Sequence, residues 1–349
     1  MDIPRMHTDV GLHALDIIHK ILLIDAEWTS RGNRDCTWWA HRLAQRVSAS
    51  SGIDSRGLLI SRIRTSVPVL ENVQMPPAQV LCTLAEMNRL AIGSALVYRM
   101  EERLVEAVLA HNVHEDTVEL RSREIASNQL IMLAQCEAFA DEWADFFNAD
   151  VVQSPHPLMG RRLNPDGMLS AIEQHYVPLG YEPSRFAGAS EFKTIEAESS
   201  KMGAFSLGGD ENGINVEMPF GENATTLIEV DAAAEHPQFG SGLKVFTSTS
   251  WTGTELEVAA LANGLNTELA EAFEVQPALG AWGSRVIDGR RYLAHARFVP
   301  NADATLTRPL DAALAAVNMA NWVDRLLFPN LGDRHAAEIV LRRLEGRQQ

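Results

Sequence analysis

The succession of hydrophobic periods along the 349 residues predicts an α+β protein of two tandem units, each read as helix, antiparallel sheet, helix, hairpin, helix. Three observations carry that reading. Apolar residues recur at helical spacing in some stretches and alternate with polar ones in others, so both element types are present. Leu109-Ala110-His111 returns as Leu293-Ala294-His295 at an offset of 184; Ala95-Leu96 with Ala278-Leu279 and Trp143/Asp145 with Trp322/Asp324 keep nearly that spacing, at 183 and 179. Between Asp150 and Arg162 the text VVQSPHPLMGRR holds two prolines, a glycine and no period, which reads as a connection between domains. The predicted divisions are an N-terminal helical segment 1–34, a first unit 35–150, a linker 151–163, a second unit 164–330 and a charged helical tail 331–349.

Within the first unit, Trp39, Leu43 and Val47 at i, i+4, i+8 predict a helix over 35–48. Alternation over Leu58 to Val73 then predicts two short strands. Pro76 and Pro77 open a helix from Ala78 to Leu90, since a first-turn N–H has no helical partner to lose. Ala95 to Tyr98 and Arg103 to Asn112 form a hairpin, and Asp116 with Glu119 has the spacing of a capping box for a long helix through Phe147.

In the second unit Asn164 caps a helix with Pro165 at its first position, running to about Tyr176. Strands are predicted at Gly203 to Leu207, Ile214 to Phe220, Thr225 to Val230 and Leu243 to Ser248. Thr252 to Ala272 returns to helical spacing, and Ala278 to Ile287 pairs with Arg290 to Val299 around the turn Asp288-Gly289. Thr307 is the expected N-cap of a last helix carrying Leu310, Leu314, Val317, Trp322 and Leu326.

Charge and cysteines bound the function. With 30 Lys plus Arg against 46 Asp plus Glu the net charge is −16, which repels phosphate backbones and anionic lipid and disfavours nucleic acid as a partner. Cys36, Cys82 and Cys136 are far apart with no CxxC pair, as expected of free thiols in a reducing cytosol. The first apolar run, Ile21 to Ile24, is too short for a signal peptide, and no stretch reaches the 18 or more apolar residues of a membrane span. The expected location is cytoplasmic.

The order helix, antiparallel strands, helix, two strands, helix resembles the class I type III secretion chaperones and the related YbjN-like bacterial proteins. That resemblance covers roughly 35–147 and 164–328 and rests on element order. It implies small acidic units that pair through a helix and a strand and hold a client polypeptide along their surface, here two units forming an internal pseudo-dimer. The first unit departs from the pattern by lacking a third strand before its second helix, and segment 1–34 has no counterpart in it.

Candidate site residues are few. His111 and His114 with Glu115 and Asp116 invite a metal, but i, i+3 spacing on a strand sends the two rings to opposite faces, so no metal ligand is assigned. The acidic residues suit a helix N-terminus. The glycines of FSLGGDENG and of FGSG at 239–242 lack the strand and helix context of a nucleotide loop. No GxSxG, HExxH or DxDxDG is present, so no catalytic residue and no cofactor is assigned. Trp38 is the one residue assigned to partner binding, as an exposed aromatic anchor; the competing reading has Leu15, Ile18, Ile21 and Leu22 packing over it. Trp143 and Trp322 read as core, with Asp145 and Asp324 facing solvent. The expected function is a non-catalytic, chaperone-like protein-binding module, with an enzyme or small-molecule sensor holding its ligand between the two halves as the alternative.

Overall fold

The computed structural model describes residues 9–53, 57–188, 191–201, 205–220, 224–268 and 279–327. The chain opens with helix α1 (Val10–Ile21), whose cap Asp9 accepts the Gly11 and Leu12 N–H groups at 3.0 and 3.2 Å. Strands β1 (Thr29–Arg31), β2 (Asp35–Trp39), β3 (Ala44–Ile53) and β4 (Leu59–Glu71) follow, then α2 (Pro77–Met87), the hairpin β5 (Ala95–Arg99) and β6 (Leu104–Val113), and the 30-residue α3 (Val118–Phe147). A short β7 (Asp150–Val151) returns to β4 before the chain leaves this sheet. Next come α4 (Gly167–Tyr176), α5 (Glu191–Lys201), β8 (Phe205–Gly209), β9 (Gly213–Phe220), β10 (Ala224–His236) and β11 (Gly240–Thr252). Helix α6 (Glu255–Glu268), the hairpin β12 (Ala281–Ile287) and β13 (Arg290–Pro300), and α7 (Pro309–Leu327) complete it.

The α+β prediction holds: the strands form two antiparallel sheets, each covered by helices. The first sheet runs β1-β2-β3-β4-β6-β5, with β7 on β4, and the second runs β8-β9-β10-β11-β13-β12. The same helix order frames both, α1, α2, α3 in one and α5, α6, α7 in the other. Between the first and second helices lie 55 residues (Ile21 to Pro77) and 53 residues (Lys201 to Glu255). Registers agree at the centre: Ile63 faces His111 in β4 and β6, Thr247 faces His295 in β11 and β13, and 247 − 63 and 295 − 111 both equal 184. The Ala95-Leu96 match is not part of this register, because Val108 plus 184 is Tyr292, whose partner is Arg285; Ala278 lies outside the described residues.

Several expectations are corrected. The stretch 35–48 is a hairpin rather than a helix: Trp39 faces Ala44, and the i, i+4 pair Trp39 and Leu43 spans its turn. Cys, Thr and two Trp in succession fit a pleated surface, and here that preference wins over the helical period. The first sheet therefore has its full set of strands before α2. Residues 9–34 belong to the first half, contributing α1 and β1. Leu58 to Val73 holds one strand, not two, and it tolerates Pro68 because pairing with β3 has ended at Ser66.

The caps differ as well. Helix α4 is capped by Asp166, which accepts the Met168 N–H at 2.9 Å, so Asn164 and Pro165 precede it. In α6 the box is Thr254 with Glu257, each side chain bonded to the other's N–H. Asp116 and Glu119 make no box; a 3-10 turn over Glu115–Thr117 stands before α3.

The core of the first half lies between the sheet and helices α1 and α3, with Leu15, Ile18, Ile63, Val67, Ile125 and Leu133 buried together. In the second half α5 and α7 cover the sheet through Phe192, Ile195, Ile228, Val230 and Val317. The larger cluster also takes in Ala234, Phe239, Ala259 and Phe298 from the second half, so apolar packing is continuous across the junction.

Candidate functional site

The junction between the halves is where polar side chains are buried together. Helices α2 and α6 pack side by side, bringing edge strands β5 and β12 into contact. An edge strand carries unpaired N–H and C=O groups, and burying them unbonded would be costly. Three asparagine amides close these edges. Asn88 accepts the Leu96 N–H at 2.9 Å and donates to Leu96 O at 3.0 Å and, across the seam, to Trp282 O at 3.3 Å. Asn263 of α6 reaches the other way, accepting Tyr98 N–H at 2.8 Å and donating to Tyr98 O at 3.1 Å. Asn266 does the same for Trp282, at 2.7 and 2.9 Å. Gly283 makes the approach possible, since a Cβ there would stand 2.4 Å from Ala85 O.

A second cluster joins α3 to β13. Glu124 Oε1 accepts from Arg297 Nη2 at 2.6 Å and from Thr307 Oγ1 at 2.9 Å, while Oε2 accepts from Arg121 at 2.7 Å. Burial opposes the charge, but the two guanidiniums prevail and hold the Glu124 carboxyl down at about 2. Thr307, expected as a helix cap, gives its hydroxyl to this carboxylate instead. Bonded to Arg121, Arg297 and Thr307, Glu124 ties α3 to the second half.

Next to it Asp303 accepts from Ser127 Oγ at 2.8 and 2.9 Å and from Tyr176 at 2.9 Å. Burial raises the Asp303 carboxyl and the Tyr176 phenol. Ser127 and Tyr176 also stand on the wall of an apolar pocket of about 400 Å³ between α1, α3, α4 and Leu306. A wider recess of about 500 Å³ lies on the first sheet, where Arg64 and Arg99 flank Glu106 at 3.7 and 2.6 Å, with Arg46 exposed beside them.

Trp38 is only 1 % exposed, buried with α1 and α3, so it has no free surface to offer as an anchor. Neighbouring Trp39 points to the opposite side, as strand residues must, and meets the ring of His156 at 4.5 Å. His111 lies buried in β6 with Nδ1 2.8 Å from Asn112 O, and burial lowers it to about 4. His114 precedes the 3-10 turn before α3, and among the described residues no three metal-ligating side chains converge. The glycines of both candidate nucleotide loops lie in the strands that flank hairpin turns, Gly208 at a register shift in β8 with φ +123° and Gly240 at the start of β11 with φ +65°. Asp145 is exposed, but Asp324 is 1 % exposed and bonded to Thr226, which corrects its solvent-facing assignment.

Sequence reasoning missed the seam. Glu124 and Arg297 are 173 residues apart, and the one local signal is a charged residue amid apolar neighbours in AHARFVP. Comparisons with family models, curated proteins and solved structures found no match to the chain.

Proposed function

We propose that this chain is a non-catalytic protein-binding module made of two tandem units resembling the type III secretion chaperones, joined as an internal pseudo-dimer. The observation that carries the reading is the pairing of corresponding elements: α2 against α6 and β5 against β12, from two sheets of one strand order. A helix-and-strand seam is what the resemblance implies for such units. The client is an extended polypeptide segment lying on the open side of the first sheet, where Arg46, Arg64 and Arg99 would meet its carbonyl and carboxylate oxygens. Trp38 has no part in that contact. Affinity capture with the full chain, followed by cross-linking and mass spectrometry, tests the reading. Cross-links from one client to β3 and β4 are expected, and their loss on Arg46→Glu; a client held only through the exposed linker leucines, Leu158 and Leu163, would refute it.

A second reading, small-molecule binding at the seam, is favoured by the apolar pocket beside Ser127 and Tyr176.

A further inference from the structure

The pocket is polar at one end and apolar at the other, and that polarity follows from how α3 and α4 run. On α3 it is lined by Arg123, Ala126, Ser127 and Leu130, one stripe at i, i+3, i+4, i+7. On α4 the stripe is Met168, Ala171, Ile172, His175 and Tyr176. The two helices are antiparallel. The cap Asp166 donates its N–H to Ala40 O at 2.8 Å, in the loop whose Arg42 grips Glu137 and Asp141 of α3, while Tyr176 at the far end of α4 meets Ser127 at 2.7 Å. Arg123, Ser127, His175 and Tyr176 therefore gather at one end. Leu130, Met168 and Ile172 gather at the other, where the end of α1 adds Ile21 and Leu22.

We infer that this pocket binds a fatty carboxylate of medium chain length, tail between Leu130 and Ile172 and head toward Arg123. Arg123 is exposed at the polar end and makes no ion pair among the described residues, so a permanent positive charge stands at the mouth in a chain of net charge −16. His175 is exposed beside it and supplies a ring N–H. Below them the Ser127 and Tyr176 hydroxyls already donate to Asp303, so the head group is held at the mouth by Arg123 and His175 and not by these hydroxyls. A volume of about 400 Å³ lies within the range of small-molecule sites and suits a tail of roughly a dozen carbons rather than a peptide helix. The inference rests on the second reading above and is independent of the first, because no residue of the Arg46, Arg64, Arg99 recess lines this pocket.

Dodecanoate is the probe, titrated calorimetrically into the delipidated full-length protein. One site per chain is expected, with dodecanol bound about fivefold more weakly for want of the charge and Arg123→Gln bringing dodecanoate to about the same level, as a partly exposed ion pair dictates. Ile172→Trp should remove binding by filling the tail end, and because Ile172 is core its fold is checked by circular dichroism. A diazirine-tailed dodecanoate should label α3 and α4. Absence of binding, or labelling elsewhere than α3 and α4, overturns the site. Equal affinity for dodecanol overturns the carboxylate class alone and leaves small-molecule binding at the seam standing.

Discussion

A carboxylate on the outer side of a helix and one on its buried side differ by a fraction of a turn, and Asp145 and Asp324 show the cost of that difference. Asp324 is held against β10, with Thr226 donating to one oxygen and the other oxygen unbonded among the described residues, and burial raises its carboxyl from 3.8 to about 6. An acid whose folded value lies above its unfolded one withdraws stability as it ionises, from nothing below pH 3.8 to the full penalty above about 6. Asp324→Asn should therefore stabilise the protein at pH 8 by about 2 to 3 kcal/mol and have little effect near pH 3.5, read from urea unfolding at both. Glu124 works in the opposite sense. Its carboxyl is lowered from 4.5 to about 2, so its contribution is complete above pH 4.5 and is lost as pH falls toward 2. Glu124→Gln leaves Arg297 buried without its counter-charge and should cost about 3 to 5 kcal/mol at pH 7. Trp38→Ala should cost about 3 to 5 kcal/mol in thermal or urea unfolding, as truncation of a buried aromatic does; an unchanged midpoint would return Trp38 to the list of surface residues.

At the scale of elements, what the residues revealed and what they concealed divide by how local the signal is. Helix α2 is announced by Pro76 and Pro77, and the hairpin of β12 and β13 by Asp288-Gly289, because each depends on a few adjacent side chains. Thr225 to Val230 covers only the first half of β10 and Leu243 to Ser248 the middle of β11, as Ala-rich DAAAEH has little strand preference of its own. The β2 and β3 hairpin was hidden by spacing that a helix and a four-residue turn share. The Asn clamps had no local signal at all: Asn263 and Tyr98 are 165 residues apart, and an asparagine inside a helix usually reads as a weak helix former. Their role is testable. Asn263→Ala strips two partners from the Tyr98 backbone and should cost about 1 to 3 kcal/mol, in chemical unfolding, for each buried group left unbonded. Gly283→Val should also loosen the α2 and β12 contact, since Ala85 O occupies the space its Cβ needs, and faster amide exchange at Leu96 and Trp282 would report it.

For the molecule as a whole, the shared apolar cluster and the polar bonds across the seam leave neither half with a complete surface of its own. Tryptophan fluorescence and far-ultraviolet dichroism should accordingly report one coincident unfolding transition rather than two. Non-coincident curves would show that the halves unfold independently. The seam is also asymmetric: counting back 184 from Arg297 reaches Val113, so the guanidinium that meets Glu124 has no counterpart on the first sheet. Two identical chains meeting about a twofold axis would be obliged to make every contact twice, whereas among the described residues the Glu124 and Arg297 lock is made once. Tethering changes the response to dilution too. Two separate subunits at nanomolar abundance would fall apart unless their affinity were high, but a short connection keeps these partners at an effective concentration on the order of millimolar whatever the expression level. The seam can therefore hold without high affinity of its own, and its edge residues are released from the demand for adhesion.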